Sequence, residues 1–204
     1  MKTETPTKMG RTEMRKSFEG ILKAHHDSCR ASFTEPQVEI LERIAREILK
    51  SLHSGRKILL CGNGGSAADA QHIAAELIGR FKLLRKSLPA VALTTDSSIL
   101  TAVANDFDYE KVFARQVEGI GTSGDILMAL STSGQSKNVL AAVRQARSQG
   151  LVTIGFTGAA DSPLCQLADI CFRSQSDQTS HIQEIHIIAL HAITEVVENV
   201  LFGS

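Results

Sequence analysis

The chain has 204 residues, of which 43% are hydrophobic and 22% are charged. This composition is typical of a globular protein with a full core, and it excludes a disordered chain or a collagen-like repeat. The 22 Lys and Arg residues balance the 22 Asp and Glu residues, whereas a nucleic-acid-binding protein normally carries a basic surplus, so we expect no nucleic-acid partner. No apolar run approaches the ~20 residues that cross a bilayer, and the charged N-terminus lacks the apolar segment of a secretory signal. We therefore expect a cytoplasmic protein without membrane contact.

Two helices are predicted before residue 56. Residues 1–11 are polar and predicted to be frayed, and apolar residues then recur at helical spacing from Met14 to Leu22. The second helix starts near Pro36, which the first turn of a helix accepts without losing a hydrogen bond. It ends near Gly55. Its apolar stripe must be buried against the rest of the chain or another subunit, and includes Leu41, Ile44, Ile48 and Leu52.

From Lys57 onward, short apolar runs alternate with helical stretches. Strands are predicted at residues 58–61, 90–93, 126–130, 151–156 and 170–172. Helices are predicted at about residues 66–79, 97–118, 136–148, 162–168 and 179–201. Apolar strands that alternate with helices indicate an α/β fold whose parallel sheet has helices on both faces. We therefore predict one domain over residues 1–204, with a helical hairpin over 1–55 as an N-terminal extension of an α/β core over 56–204.

The four cysteines are predicted to be reduced and mostly packed in the core. They form no C-x-x-C pair, and a cytosolic location disfavours disulfides. They are Cys29, Cys61, Cys165 and Cys171.

The first predicted strand ends in a glycine-rich segment, residues 61–66, which we call the glycine loop. Ligands of open parallel sheets lie beyond the carboxyl ends of the strands, and glycines let backbone N–H groups approach an anion closely. The segment also matches a permissive dinucleotide-binding pattern, through Gly62, Gly64 and Ala67. However, the nearest acid at a strand end is Asp96, 34 positions after Gly62 instead of ~20. A dinucleotide-binding oxidoreductase is therefore a weak alternative.

The third predicted strand ends in a second candidate anion site, residues 131–136, which we call the hydroxyl loop. It has four hydroxyl residues in six positions and leads into a helix. Clustered donors at a helix N-terminus suit a phosphate group. The alternative is an ordinary Ser-rich cap and turn.

Two predicted helices carry candidate catalytic or metal-binding residues. His72 and Glu76 are four apart on one helix face, where they could bind a divalent metal, share a proton, or form an ordinary exposed pair. The C-terminal helix contains three histidines among aliphatic residues, which core packing with hydrogen bonds to backbone carbonyls would also explain. Gln183 and His191 are eight apart, about 12 Å along the axis, and residue 184 aligns better with His191. Spacing does not choose among positions 183, 184 and 186.

These segments together resemble the phosphoheptose isomerases, a family with the sugar isomerase (SIS) fold. The resemblance is carried by residues 61–66, 72–77, 94–96, 104–106, 131–136 and 183–191. It implies the conversion of sedoheptulose 7-phosphate to D-glycero-D-manno-heptose 7-phosphate through an enediol. This reaction is the entry step to the heptose of bacterial surface polysaccharides such as lipopolysaccharide. The resemblance also implies a homotetramer in which the N-terminal helices, with the stripe of the second one, pack between subunits.

The resemblance further implies a role for particular side chains. Glu76 and His191 would be the acid–base pair. One Zn²⁺ per subunit would be held by His72, Glu76, Gln183 and His191. The substrate-binding residues, with the phosphate held by the hydroxyl loop, would be Asn63, Gly64, Gly65, Ser66, Glu76, Asn105, Asp106, Ser131, Thr132, Ser133, Ser136 and Gln183. Because a zinc-bound carboxylate is a poorer base, the two roles of Glu76 compete.

A related non-catalytic group with the SIS fold is the alternative. Binding proteins of the replication-initiator-associating type share the Gly-Asn-Gly segment and the tetramer. They resemble this chain less, because they lack the Glu and His that it has at positions 76 and 191. The sequence therefore favours an enzyme.

Overall fold

The computed structural model describes residues 10–203, so residues 1–9 of the predicted frayed terminus lie outside the described residues. The helices are α1 (Arg11–Ser32), α2 (Glu35–His53), α3 (Gly65–Ile78), α4 (Ser97–Asp106), α5 (Val112–Ile120), α6 (Lys137–Ser148), α7 (Pro163–Leu167) and α8 (Thr179–Phe202). A short 3₁₀ helix spans Tyr109–Lys111. The strands are β1 (Ile58–Cys61), β2 (Ala90–Ala92), β3 (Ile126–Leu130), β4 (Val152–Thr157) and β5 (Ile170–Arg173). The predicted α/β class is confirmed.

All five strands are parallel and lie in the order β2-β1-β3-β4-β5. Side chains of a strand alternate between the two faces, and β1 shows the consequence: Ile58 and Leu60 join one core cluster, while Leu59 and Cys61 join the other. The first cluster is completed by α2, α3 and α8, and the second by α5, α6 and α7. The predicted helices on both faces are thus present.

This strand order places both candidate loops at one point of the sheet. The chain leaves β1 towards β2 on one side and leaves β3 towards β4 on the other, although β1 and β3 are neighbours. Loops at such a switch of direction diverge and open a crevice at the carboxyl edge of the sheet. The glycine loop follows β1 and the hydroxyl loop follows β3, so they flank this crevice.

The apolar stripe of α2 faces the chain's own core. Ile44 and Ile48 are buried within the single chain, so the expectation that they lie between subunits is wrong. Their burial follows from the packing of α2 on α8 and β5. Leu41 and Leu49 are partly buried and line an apolar groove of about 550 Å³ between α2 and α8.

The predicted helix over residues 97–118 is divided in the structure. Asp108 is extended, and its carboxylate accepts a hydrogen bond from the backbone N–H of Glu110 at 2.7 Å. This local bond competes with a continuous helix. Asp96, the acid at a strand end that lies nearest to the dinucleotide pattern, is the N-cap of α4 and accepts from the N–H of Ile99 at 2.9 Å.

Two of the four cysteines are paired. Cys165 of α7 and Cys171 of β5 form a disulfide, with Cα atoms 5.2 Å apart, so the prediction of four free thiols is wrong for this pair. The chain turns back between α7 and β5, which brings residues six apart to bonding distance. Cys61 is free and buried, and burial raises the pKa of its thiol to about 12.

The expectation that no apolar run is long enough to cross a bilayer is wrong for the long helix α8. Its 24 residues are apolar enough, by length and composition alone, to cross a membrane. In the fold it packs against α2 and α3, and ten of its residues are buried. Core helices pass the same composition test, and α8 also carries the polar side chains that meet the glycine loop and α3.

Candidate active site

The glycine loop is shaped so that α8 can approach it closely. Gly64 precedes α3 with a φ of 56°, in the left-handed region that favours glycine. A Cβ atom on Gly65 would lie 2.6 Å from the side-chain amide of Gln183. The missing side chain at position 65 therefore lets Gln183 rest on the start of α3, which places two predicted substrate residues, Gln183 and Gly65, against each other.

The side chain of Asn63 is held by two residues that sequence reasoning missed. Its amide exchanges two hydrogen bonds of 2.9 Å with the amide of Asn138, which is buried at the start of α6. The hydroxyl of Tyr109 donates a third bond, 3.1 Å long, to the carbonyl oxygen of Asn63. These contacts lock the glycine loop to α6 and to the 3₁₀ helix. Their only sequence signal was position, since residues 109 and 138 follow predicted site segments closely.

The hydroxyl loop forms a tight turn at the N-terminus of α6. The Ser131 and Ser136 hydroxyls lie 3.0 Å apart, and the Ser133 hydroxyl accepts from the backbone N–H of Gln135 at 3.2 Å. Gly134 has a φ of 63° and packs against Ser162. Ser136 is the N-cap residue of α6 but does not use its side chain as a cap. Thr132 is half-buried and Ser133 is exposed, so the loop presents hydroxyls as well as a helix N-terminus.

Three of the four predicted metal ligands meet in one cluster. The His191 Nε2 atom lies 3.2 Å from Nε2 of His72, which is 3.3 Å from a carboxylate oxygen of Glu76. All three ligand atoms lie within 4.8 Å of one another. Burial, and then the charge of His72, lowers the pKa of His191, while Glu76 opposes the change.

The donor set of this cluster suits a divalent metal. Two imidazole nitrogens and one carboxylate, with a remaining open position, are the ligands of several catalytic zinc sites. Gln183 lies against Gly65, and in the described part of the chain its amide makes no hydrogen bond to the cluster. Its role as a fourth ligand stays a prediction.

The rotation of α8 settles which of its polar residues face the glycine loop. Glu184 contacts His25 of α1 instead. His186 is fully buried, and its Nε2 lies 3.1 Å from the carbonyl oxygen of Thr157. Burial lowers the pKa of His186 to about 4, although the bond to Thr157 opposes the change. His186 is thus a neutral core histidine bonded to a backbone carbonyl, which is the core-packing alternative given for this helix. Gln183 is the residue of α8 that lies at the glycine loop.

Asn105 and Asp106 are predicted site residues whose side chains bond to each other. Both are exposed at the end of α4, where the Asn105 amide donates to the Asp106 carboxylate at 2.8 Å. Asp106 also lines a surface groove of about 880 Å³ beside α5 and α6. Among residues 10–203, neither side chain hydrogen-bonds to the glycine loop, and Tyr109 makes that connection for this segment.

Asp69 is a further titratable residue near the cluster, one turn before His72 on α3. One of its carboxylate oxygens is buried without a hydrogen-bond partner in the described structure. Burial raises the pKa of Asp69 to about 6, against the opposing effect of His72. A carboxyl group with this pKa is partly protonated in mildly acidic solution.

Comparison with known proteins identifies the family. The SIS domain family matches residues 24–158. The phosphoheptose isomerase of Roseiflexus sp. (strain RS-1) is 52% identical over 168 residues, which cover 82% of this chain and 85% of the relative. That of Bradyrhizobium sp. (strain BTAi1) is 51% identical over 181 residues, which cover 89% and 91%. The chain belongs to the phosphoheptose isomerase family.

Solved structures of phosphoheptose isomerases share the whole fold. The enzyme of Neisseria gonorrhoeae superposes with a TM-score of 0.86 at 36% identity, covering 91% of this chain and 99% of that protein. The enzyme of Francisella tularensis gives 0.82 at 33% identity, covering 92% and 97%. The family and fold expected from the sequence motifs are therefore confirmed.

Proposed function

We propose that this phosphoheptose isomerase family member converts sedoheptulose 7-phosphate to D-glycero-D-manno-heptose 7-phosphate. The names of its relatives support this assignment. The observation in the structure that carries it is the meeting of the Glu76 carboxylate of α3 and the His191 imidazole of α8 in one cluster. The alternative of a non-catalytic binding protein gains no support from either source.

The reaction needs one proton to move between C1 and C2 of the sugar through an enediol. A carboxylate such as Glu76 is suited to remove that proton from one carbon and return it to the other. The His191 imidazole, in the same cluster, is suited to exchange a proton with the sugar hydroxyls. Because the Glu76 side chain is one-quarter exposed, the proton that it has taken from the sugar can exchange with water while the enediol is bound.

The substrate phosphate would lie at the hydroxyl loop. Its hydroxyls stand at the N-terminus of α6, where the partial positive charge of the helix favours an anion. The glycine loop on the other side of the crevice would face the sugar. The side-chain carbonyl oxygen of Asn63 already accepts hydrogen bonds from Asn138 and Tyr109. Its backbone is therefore the better candidate for substrate contact.

We propose a zinc ion in the cluster of His72, Glu76 and His191. A bound zinc ion would polarise the substrate carbonyl and stabilise the negative charge that develops on it. Glu76 has two oxygens, so one could bind the metal while the other faces the substrate. Metal analysis of purified protein should find about one zinc per chain, and His72→Ala should lower that content. Unchanged zinc content in His72→Ala would contradict the site.

The assembly, location and pathway are also proposals. Four large apolar side chains of α1 are about half exposed in the single chain and need a covering surface: Met14, Phe18, Ile21 and Leu22. A homotetramer that covers them fits the family resemblance, as do a cytoplasmic location and a role in making surface heptose. Light scattering at micromolar concentration should give four times the mass of the 22.0 kDa chain. A monomer would contradict this.

The activity is tested by incubating purified protein with sedoheptulose 7-phosphate and following the aldose product by NMR. Glu76→Gln keeps the size and one oxygen of the side chain but removes the base. It should lower kcat by ~10²–10⁴-fold, the usual contribution of a positioned acid–base group. Glu39→Gln, at an exposed position of α2, is the matched control and should leave kcat unchanged. Near-normal activity of Glu76→Gln would refute the mechanism.

A further inference from the structure

The segment between α3 and β2, residues 79–89, covers one face of a predicted catalytic residue. The ring of Phe81 stacks on the His191 imidazole, with ring centres 5.4 Å apart and planes within 16°. The His72 ring meets the same imidazole edge-on, with centres 4.9 Å apart. His191 therefore contacts two rings, and its Nε2 atom lies 3.2 Å from Nε2 of His72.

The segment owes its position to a carboxylate. Glu198 of α8 accepts hydrogen bonds from three consecutive backbone N–H groups, those of residues 81, 82 and 83, at 3.1, 2.7 and 2.9 Å. It also pairs with the guanidinium of Arg85 at 2.8 Å, and both side chains are only 1% exposed. Burial favours a higher pKa for Glu198, but these bonds together outweigh it and lower the pKa. Arg85 in turn donates to the backbone carbonyls of Glu76 and Leu77 at 2.9 and 2.8 Å.

Apolar burial anchors the end of the segment next to β2, where Leu88 joins the core, but it does not anchor the middle. Leu84, in the middle of the segment, is 95% exposed. A buried ion pair is weak evidence for a gain in stability, because its desolvation offsets much of the attraction. The pair instead fixes the position of the segment relative to α8. His191 and Glu198 are seven residues apart on α8, two turns along the same face, so anchoring the segment at Glu198 fixes Phe81 over His191.

We propose that Phe81 is a positioning residue that holds the imidazole of His191 in the orientation needed for proton transfer. The proposal rests on the function proposed above. A side chain without a ring at position 81 would leave the imidazole free to rotate away from Glu76. Small errors in the placement of catalytic groups cost large factors in rate, whereas substrate binding by the hydroxyl loop would be preserved.

The test compares variants of Phe81 in the full-length protein. Phe81→Leu should lower kcat by ~10-fold and leave KM within about twofold, whereas Phe81→Tyr keeps the ring and should restore wild-type kcat. Leu84→Ala is the control on the same segment and should have no effect. A Phe81→Leu protein with normal kcat would overturn the proposal, as would equal losses in the Tyr and Leu variants.

A second readout does not depend on turnover. Diethyl pyrocarbonate modifies accessible imidazoles, and mass spectrometry measures the rate at His191 relative to the exposed His53. This ratio should rise several-fold in Phe81→Leu and stay unchanged in Phe81→Tyr. Glu198→Gln should raise it similarly, with Arg85→Lys as the milder variant if that protein does not fold. If the wild-type protein fails to convert the heptulose phosphate, the proposed function fails, while an unchanged ratio overturns the role of Phe81.

Discussion

Gly65→Ala separates the function of the glycine loop from its contribution to stability. The new Cβ would lie 2.6 Å from three atoms of the Gln183 amide. An ordinary contact of 3.4 Å requires the amide to retreat by about 0.8 Å. Gln183 is a flexible side chain and can move, and Ala is favoured over Gly in a helix by ~0.5–1 kcal/mol. We therefore expect a free energy of unfolding within about 1 kcal/mol of wild type.

The effect on activity should be much larger. Displacing a substrate-positioning group by ~1 Å can cost ~10²-fold in rate, so kcat/KM for sedoheptulose 7-phosphate should fall by about that factor. The assay pairs steady-state kinetics with urea unfolding. Gly119→Ala, in α5 with open space around the new methyl group, is the control and should keep full activity.

A double-mutant cycle identifies the cause of that loss. If Gly65→Ala acts by displacing Gln183, its effect should nearly vanish in a Gln183→Ala background, because effects on one shared interaction do not add. Losses that multiply in the double variant would refute this reasoning. So would a Gly65→Ala enzyme with wild-type kcat/KM.

Three further perturbations address the phosphate site, the core histidine and the disulfide. Ser133→Asp should raise KM at least 10-fold through repulsion of the substrate phosphate, with kcat little changed; steady-state kinetics that show an unaltered KM would contradict the phosphate assignment. The pKa of His186 is about 4 when folded and about 6.5 when unfolded, so the free energy of unfolding should fall by about 2.5 kcal/mol between pH 7 and pH 4.5. Urea unfolding at pH 7 and 4.5 measures this change in the wild type and in His186→Gln. Asp69, whose pKa is raised, contributes a change of opposite sign to both proteins, so subtracting one pH dependence from the other removes it. Identical pH dependence in both proteins would disprove the prediction. Cys171→Ser opens the disulfide to Cys165 and should lower the free energy of unfolding by about 2 kcal/mol without reductant, an effect that dithiothreitol should abolish.

The strands were predictable because the chain encodes them locally. β1 and β3 coincide with the apolar runs 58–61 and 126–130, since strands buried on both faces need no polar residue. The division of residues 97–118 was not predictable from periodicity. It depends on the local hydrogen bond of Asp108, which an apolar pattern does not reveal.

The candidate site also has some features that the sequence predicts and others that only the folded chain reveals. His72 and Glu76 share a helix face, so their proximity follows from sequence spacing alone. The choice of Gln183 over Glu184 and His186 required the rotation of α8 about its axis, which tertiary packing sets. Contacts between distant segments, such as Tyr109 with Asn63 or the pairing of Cys165 and Cys171, have no periodic signature and appear only when the chain is folded.

The central claim, proton transfer by Glu76 within an isomerase site, is tested most directly by running the reaction in D₂O. Sedoheptulose 7-phosphate is incubated with purified protein, and the aldose product is examined by NMR for deuterium at C2. We predict that the wild-type enzyme forms the aldose phosphate with deuterium at C2, because the one-quarter exposed Glu76 exchanges its proton with solvent. Glu76→Gln should form almost none. Absence of the aldose, or an aldose without deuterium, would contradict the account.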